Sequence, residues 1–387
     1  MKKFLSVFFA LSLLLALASC SNSHENEISV TESSTAITEE KPKLTASVTE
    51  NKKFDSVYLN LTSSDFEDAG FSLGDSCDVV FSNGYSLTDI PYYNGYYVKK
   101  GENLIVAYPS EKYVIIAANN SPLWSKIGLN DGDTVEITLN TAGKYIATSD
   151  ALGQSYSIYR EDYDSDSEFA NFRSLSGGNL KENFLYRGAS PFDNSRNRPY
   201  YVDLLLKESN IKLIIDLADS DEDVQEDMNE DDFNSPYSKE LYDSKKVALL
   251  DMGSDYDSTD YKTSVANGMK TLIENDGPAY IHCTEGKDRT GFVCIIIEAL
   301  AGASYDEMRL DYMTTYENYY GITETTTPEK YGAVLDLYFN TYMEYFAGTD
   351  DIDTLQSYDY TSAAEKYLLS GGMTTLEIGQ LKETICE

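Results

Sequence analysis

The sequence is poor in histidine, tryptophan and positive charge. Of its 387 residues only two are histidine, His24 and His282, and one is tryptophan. So few imidazole groups exclude a histidine-rich metal centre. Lys and Arg number 30 against 65 Asp and Glu, which gives a formal net charge of −35. We do not expect so acidic a chain to bind nucleic acid or an anionic membrane face.

Cysteine is also scarce. The chain has five, namely Cys20, Cys77, Cys283, Cys294 and Cys386. Their positions show neither the regular spacing of a disulfide framework nor that of a zinc site. The sequence therefore predicts no metal and no other cofactor.

Long hydrophobic runs are missing as well. The apolar run from Phe4 to Ala18 is too short for a good membrane span, and two lysines precede it, as in a signal peptide. Residues 1–20 end in Leu-Ala-Ser-Cys, which resembles a bacterial lipobox with Cys20 as the lipidated residue. This predicts an extracytoplasmic lipoprotein that meets the membrane only through its lipid anchor. The alternative is an ordinary cleavable signal peptide.

The rest of the chain divides by composition and periodicity. Residues 21–51 are rich in Ser, Thr and Glu, which predicts a disordered tether. Residues 52–159 alternate as short strands between turns, which predicts a small all-β barrel or sandwich of unknown role. Residues 160–168 form an acidic linker. Residues 169–387 alternate strands and helices, which predicts an α/β domain with a parallel-rich central sheet flanked by helices.

One stretch, Ala279 to Gly291, combines a short buried strand, a tight loop and an apolar helix. Five residues separate Cys283 from Arg289. A loop of this kind between a strand and a helix N-terminus points its backbone N–H groups into one concavity, which is an anion site. Arg289 would hold two phosphate oxygens, and the same positive field favours the thiolate form of Cys283. A thiolate held against phosphorus predicts phosphomonoester hydrolysis through a cysteinyl-phosphate intermediate.

The string from His282 to Gly291, His-Cys-x5-Arg-Thr-Gly, resembles the signature loop of the protein-tyrosine phosphatases. It is most similar to the bacterial tyrosine phosphatases whose loop carries Gly-Lys-Asp-Arg-Thr. The resemblance implies that Cys283 is the nucleophile and Arg289 the phosphate clamp. It also implies an α/β phosphatase fold for the C-terminal part of the chain.

The resemblance covers roughly residues 169–387. Beyond the loop, three phrases carry it, at Asn171–Arg173, Leu185–Ser190 and Asp311–Tyr312. Two positions depart from the family pattern. Gly188 stands where serine is usual, and Ala218 stands where arginine is usual, which would remove a basic group near the site.

Several residues around the nucleophile receive roles from this resemblance and from the loop geometry. The predicted phosphate-binding residues are Thr284, Glu285, Gly286, Lys287 and Thr290. We expect Thr290 to hydrogen-bond the sulfur of Cys283, or simply to cap the helix. His282 would orient the loop backbone. Arg187 is a candidate for substrate contact, with structural ion pairing as its alternative.

Expulsion of the leaving group needs a general acid, and two carboxyl groups compete for that role. Asp251 ends the strand before the catalytic one, a placement similar to that of the acid in dual-specificity phosphatases. Asp288 lies in the loop, and the resemblance to the Gly-Lys-Asp-Arg branch favours it. Its neighbours Lys287 and Arg289 should keep Asp288 ionised, which argues against it. The acidic run from Asp216 to Asp232 is expected to be a solvated loop.

Three functions remain open. The first is a protein-tyrosine phosphatase whose partner is a phosphotyrosine protein. The second is a phosphatase of phosphorylated small molecules or lipids, the phosphoinositides or inositol phosphates, because Lys287 adds a cation to the loop. The third is a non-catalytic phosphate-binding surface lipoprotein. The presence of both Cys283 and Arg289 argues against the third.

Overall fold

The computed structural model describes residues 41–109 and 111–387. The predicted signal peptide with Cys20 and the predicted tether as far as residue 40 lie outside these residues. Within the described ranges, none of the helices has both the length and the apolar character needed to cross a bilayer.

The N-terminal part is a closed β-barrel of seven strands. These are β1 (Lys43–Asn51), β2 (Ser56–Leu59), β3 (Ser76–Phe81), β4 (Ser86–Tyr93), β5 (Asn103–Val106), β6 (Val114–Ala118) and β7 (Thr134–Thr141). The order is β1-β2-β6-β5-β4-β3-β7, and β1 also pairs with β7, which closes the barrel. Of the two predicted architectures, barrel and sandwich, the structure has the barrel.

Strand β1 corrects the predicted tether, which was expected to reach residue 51. The side chains of Ala46 and Val48 are buried in the barrel core, whereas the alternate residues Ser47 and Thr49 are exposed. This is the period-two pattern of a half-buried strand. The abundance of Ser and Thr conceals the pattern in the sequence, although the β-branched Thr and Val favour a strand.

The helices lie mostly in the C-terminal part. They are α1 (Ser63–Asp68), α2 (Trp124–Ile127), α3 (Ile146–Leu152), α4 (Asp166–Phe169), α5 (Pro199–Glu208), α6 (Asp221–Met228), α7 (Pro236–Asp243), α8 (Thr259–Ile273), α9 (Asp288–Leu300), α10 (Tyr305–Tyr320), α11 (Pro328–Val334), α12 (Asn340–Ala347), α13 (Ile352–Ser357), α14 (Tyr360–Ser370) and α15 (Thr375–Ile385). A π-helical turn, Leu335–Phe339, joins α11 to α12.

The C-terminal part is built on a five-stranded sheet. Its strands are β8 (Arg173–Ser174), β9 (Leu185–Gly188), β10 (Leu213–Asp216), β11 (Val247–Leu249) and β12 (Ala279–His282). The order is β11-β10-β12-β9-β8, with the first four parallel and β8 antiparallel at one edge. All four residues of β12 are buried, as expected for a central parallel strand covered on both faces. This is the predicted parallel-rich sheet flanked by helices.

The predicted acidic linker, residues 160–168, is folded rather than extended. It contains a 3₁₀ turn, Arg160–Asp162, and leads into α4. The ring of Tyr163 is buried and lies 5.1 Å from the ring of Phe169, centroid to centroid. In the sequence, the many acidic residues of this segment obscure its aromatic residues. Burial of the aromatic side chains supplies the free energy that orders the segment. The β-part and the α/β part are therefore joined by a packed segment.

Candidate active site

The signature loop, which we define as Cys283–Arg289, leaves the end of the central strand β12 and enters α9. In the sheet, His282 pairs with Asp216 of β10 on one side and with Gly188 of β9 on the other. Parallel strands end at the same edge, so the loops after β9, β10 and β11 adjoin the signature loop. Helix α9 begins at Asp288, slightly earlier than the predicted apolar helix, and is buried from Thr290 onward.

Three carbonyl oxygens of the signature loop accept hydrogen bonds from the surrounding scaffold. These bonds run from Ser190 N to Thr284 O at 3.1 Å, from the Tyr319 hydroxyl to Glu285 O at 2.7 Å, and from Arg187 Nη2 to Gly286 O at 2.7 Å. In a trans peptide the N–H group points opposite to the carbonyl. With the carbonyls held outward, the following N–H groups face the inside of the loop. This arrangement fits an anion site above the cysteine.

Cys283 and Arg289 are the first and last residues of the signature loop. Cys283 is only 4% exposed. The Arg289 guanidinium donates through Nη1 to Met252 O at 3.0 Å and through Nη2 to Thr284 Oγ1 at 3.5 Å. These contacts hold it in the loop with further N–H donors available for a phosphate oxygen.

Two glycines allow the loop to pack against strand β9. Gly286 has a φ of 66°, and a Cβ there would lie 2.2 Å from Gly188 O. A Cβ on Gly188 would lie 2.5 Å from the Tyr280 hydroxyl oxygen. Neither position accepts a larger residue without movement of the backbone. This close approach gives a physical reason for glycine at 188, where the family usually has serine.

Arg187 does not have the position predicted for a substrate contact. Its side chain is completely buried and donates to Asp311 Oδ2 as well as to the loop. Arg173 Nε donates to the other carboxylate oxygen, Asp311 Oδ1, at 2.7 Å. Burial opposes ionisation of Asp311, but the two guanidinium groups outweigh it and lower the pKa of the carboxyl. Arg187 is therefore a scaffold residue, in agreement with the alternative of structural ion pairing.

Three residues that hold the loop were not predicted as site residues, namely Asn171, Tyr319 and Asp311. Asn171 Nδ2 donates to Gly286 O at 3.2 Å and to Thr315 Oγ1 at 3.1 Å. Asn171 and Asp311 belong to two of the three phrases outside the loop that resemble the family, and these phrases were the available signal. No sequence pattern marks Tyr319 among the 32 tyrosines.

The side chains of Glu285 and Lys287 are paired with each other and with their surroundings. Lys287 Nζ lies 3.5 Å from Glu285 Oε2 and 3.7 Å from Asp288 Oδ2. Glu285 also accepts a hydrogen bond from the Tyr156 hydroxyl. Burial lowers the pKa of Lys287, but the nearby carboxylates, Asp288 first, outweigh burial and raise it. Lys287 is thus a cation whose charge is largely compensated before any substrate arrives.

His282 and Thr290 flank the nucleophile in different ways. His282 is buried, with Nδ1 3.4 Å from Cys283 O, and burial lowers its pKa to about 4, so the imidazole is neutral at physiological pH. This position is compatible with the predicted role of orienting the loop. Thr290 Oγ1 is buried and has no hydrogen-bond partner among the described residues. The predicted hydrogen bond to the Cys283 sulfur is therefore not formed in this structure.

The acidic run was predicted to be a solvated loop, and two of its carboxyl groups correct that prediction. They belong to Asp216, the last residue of β10, and to Asp219 in the loop that follows. Asp216 is buried and accepts from the backbone N–H groups of Ala218 and Asp219. Its Oδ2 lies 3.7 Å from His282 Nε2. Burial raises the pKa of both Asp216 and Asp219 to about 7. Asp219 therefore joins the candidates for a proton-carrying group, because strand pairing brings this loop beside the nucleophile.

The two predicted acids also lie on loops at this edge of the sheet. Asp288 is the first residue of α9, and its side chain is 55% exposed. Asp251 is exposed and adjoins Met252, whose carbonyl oxygen accepts from Arg289. The structure thus brings the nucleophile, the arginine and three candidate carboxyl groups to one edge of the sheet.

Comparisons with known proteins identify a family for the part of the chain that contains this candidate site. The profile of the tyrosine phosphatase family matches residues 167–387. No curated protein matches the chain. A crystal structure of an uncharacterized conserved protein from Thermotoga maritima is 20% identical, covers 26% of this chain and 37% of its own, and has a TM-score of 0.22, which is too low to support an inference. With more than half of its length matched by that profile, the chain belongs to the tyrosine phosphatase family, and this membership supports a phosphatase function.

Proposed function

We propose that this protein hydrolyses phosphotyrosine through a cysteinyl-phosphate intermediate. The observation that carries the proposal is the signature loop, in which three consecutive carbonyl oxygens after the buried Cys283 are bound by the surrounding scaffold, which leaves the N–H groups of the loop for an anion. A phosphate dianion in that position would be held by backbone dipoles, by the N-terminus of α9 and by Arg289.

The reaction proceeds in two displacements at phosphorus. In the first, the Cys283 thiolate attacks, an S–P bond forms, and the ester P–O bond breaks as the leaving oxygen takes a proton from a carboxylic acid. In the second, water attacks phosphorus and gives its proton to the same carboxylate. The S–P bond then breaks, which releases inorganic phosphate and restores the thiolate. Arg289 and the loop N–H groups stabilise the charge on the equatorial oxygens in both steps.

The burial of Cys283 supports phosphotyrosine as the substrate. Because Cys283 is only 4% exposed, a long phosphorylated side chain reaches it more readily than a short one. A phenyl ring supplies that length, whereas a phosphoserine side chain is short. Aromatic residues also border the loop, and Lys287 Nζ lies 6.0 Å from the ring centroid of Tyr320.

The phosphoinositide alternative loses its main support in the structure. It depends on Lys287 as an extra cation for a highly charged substrate. The ion pairs of Lys287 with Glu285 and Asp288, at 3.5 and 3.7 Å, leave little unbalanced charge for additional phosphates. Phosphoinositides are therefore included among the substrates compared in the test that follows.

The test of this function is turnover of a panel of phosphate esters by the wild-type protein. We expect vanadate-sensitive hydrolysis of p-nitrophenyl phosphate and of a phosphotyrosyl peptide. The kcat/KM for the phosphotyrosyl peptide should exceed that for the matched phosphoseryl peptide by roughly a hundredfold. Both peptides have the same flanking residues, so the ratio reports only on the phosphorylated side chain, that is, on its length and its leaving group.

Two outcomes would contradict the proposal. A greater kcat/KM for phosphatidylinositol phosphates than for the phosphotyrosyl peptide would show that the lipid, and not phosphotyrosine, is the preferred substrate. Absence of vanadate-sensitive turnover on every ester would leave only a phosphate-binding role. Phosphate release should be measured directly, so that all arms share one readout.

The general acid can be assigned by varying the leaving group. We expect Asp288→Asn to lower kcat for phenyl phosphate by roughly a hundredfold and kcat for p-nitrophenyl phosphate much less. Phenolate is the poorer leaving group and needs the proton, whereas p-nitrophenolate departs without it. The measurement is kcat for both esters across pH.

Asp251→Asn and Asp219→Asn serve as the comparison variants. Burial raises the pKa of Asp219 to about 7, so its carboxyl group loses its proton as the pH rises through that value. An enzyme that used it as the acid would therefore lose kcat above about pH 7. A larger fall in kcat for Asp219→Asn, with loss of that pH dependence, would assign the proton to Asp219 instead of Asp288.

A further inference from the structure

The barrel and the α/β part meet at a crevice of about 400 Å³. From the barrel it is lined by Tyr97, Val98 and Lys99, which lie in the connection between β4 and β5. From the α/β part it is lined by Ala333 and by residues of the π-helical turn, including Asp336. The barrel thus packs directly on the segment between α11 and α12.

Lys99 makes ion pairs across this crevice. Its Nζ lies 2.9 Å from Glu344 Oε1 and 3.6 Å from Asp336 Oδ1, and its side chain is 27% exposed. Burial lowers the pKa of Lys99, but its hydrogen bond to Glu344 and the nearby carboxylates outweigh burial and raise it. One barrel side chain is therefore bound to both the π-helical turn and α12.

The π-helical turn carries Tyr338 toward the signature loop. The Tyr338 ring stacks on Tyr316, with centroids 6.2 Å apart and planes inclined by 20°. Burial raises the pKa of the Tyr338 phenol; the charge of Asp288 adds to this, while that of Lys287 opposes it. Tyr316 in turn stacks on Tyr320, with centroids 5.8 Å apart, and Lys287 Nζ lies 6.0 Å from the centroid of the Tyr320 ring. These stacked rings connect the π-helical turn to the residue that precedes α9.

Tyr97 of the barrel lines the crevice together with Leu337, which precedes Tyr338 in the π-helical turn. It is half-buried, and its ring packs on Tyr93 with centroids 5.5 Å apart. Burial raises the pKa of Tyr97, and the ammonium group of Lys287 acts in the opposite direction. A side chain of the barrel therefore lies beside the turn that the stacked rings connect to the signature loop.

We propose that the barrel forms part of the substrate-binding rim: Lys99 fixes the β4–β5 connection to the π-helical turn, and Tyr97 contacts the residues that flank phosphotyrosine in a peptide substrate. The inference rests on the proposed phosphatase function. Lys99 is a positioning residue, and Tyr97 determines specificity. Neither is expected to act on the phosphate itself, because Cys283 and Arg289 are held by the sheet and α9.

The test compares a peptide substrate with a small one in the full chain. We expect Tyr97→Ala and Lys99→Met each to raise KM for a phosphotyrosyl peptide roughly three- to tenfold. The first variant removes the aromatic contact, and the second releases the connection that positions it. The kcat and KM for p-nitrophenyl phosphate should stay within about twofold of the wild type, because this ester does not reach the rim. Lys99→Arg, which keeps the charge, should restore KM for the peptide.

Matched variants on the barrel control for general damage. Tyr85→Ala removes a half-buried ring that packs on Phe81, and Lys43→Met breaks the ion pair with Glu136. Neither should change KM for the peptide. Unfolding of the barrel can be followed through Trp124, the single tryptophan of the chain.

The possible outcomes separate cleanly. Unchanged peptide KM in Tyr97→Ala and Lys99→Met, or a parallel loss on both substrates, would overturn the role of the barrel in the rim. A wild type without turnover on either substrate would instead contradict the proposed phosphatase function.

Discussion

A Cys283→Ser variant is expected to lose turnover of p-nitrophenyl phosphate by at least roughly 10⁴-fold while it still binds phosphate. The serine hydroxyl is not ionised under conditions in which a cysteine in this loop can be, so no nucleophile faces phosphorus. The loop N–H groups and Arg289 are held by the scaffold and do not depend on the sulfur. Binding of vanadate or phosphate should therefore persist, which calorimetry can measure.

Cys294→Ala is the matched control for this variant. Cys294 lies in α9, is completely buried, and has a pKa raised by burial, so it is a packing residue without an accessible thiolate. Its replacement should leave kcat within about threefold of the wild type. A Cys283→Ser variant that kept more than about a hundredth of the wild-type kcat would contradict the cysteinyl-phosphate mechanism.

An Asp311→Asn variant is expected to lower the free energy of unfolding of the α/β part by about 3 to 5 kcal/mol. The carboxylate is the shared ion-pair partner of two arginines, the fully buried Arg187 and the largely buried Arg173, and its removal leaves both without that partner. Because Arg187 also donates to Gly286 O, the variant should loosen the signature loop and lower kcat. Urea unfolding followed by far-UV circular dichroism is the measurement, since most of the helices lie in this part.

Asp306→Asn on the same helix is its control. Asp306 pairs with Arg309, but its side chain is 71% exposed, so solvent screens the ion pair. Its loss should cost no more than about 0.5 kcal/mol. Equal free energies of unfolding for the two variants would show that the ion pairs of Asp311 with Arg173 and Arg187 contribute nothing to stability. Trp124 fluorescence reports separately on the barrel, where the only tryptophan of the chain lies.

The strand, loop and helix around Cys283 could be predicted because the signals there are local. An apolar strand, the spacing from Cys283 to Arg289 and an apolar helix lie within one short stretch, and each has a single structural interpretation. The boundaries of the β-part were harder. Ser and Thr masked the alternation of β1, and acids masked the aromatic residues that order the segment around Tyr163. In both segments, burial of a few side chains overrides average composition.

Roles that depend on long-range packing could not be read from the chain. For Arg187, substrate contact and structural ion pairing were both open, and Asp311, far along the sequence, draws it into the interior. Asp219 was hidden in an acidic run, and only the pairing of β10 beside β12 brings its loop to the edge of the sheet that holds Cys283. The positions of Lys99 and Tyr97 follow from the packing of the barrel on the π-helical turn.

The sequence by itself determined the composition of the loop at the centre of the candidate site, because a short loop between a strand and a helix confines its own atoms. Cys283, Arg289 and the backbone N–H groups are all encoded within that loop. Tertiary structure decided what surrounds it: which carbonyls are held outward, which charges are compensated, and which domain borders the entrance. Those properties depend on contacts between residues far apart in the chain, and only the folded sheet, helices and barrel bring them together.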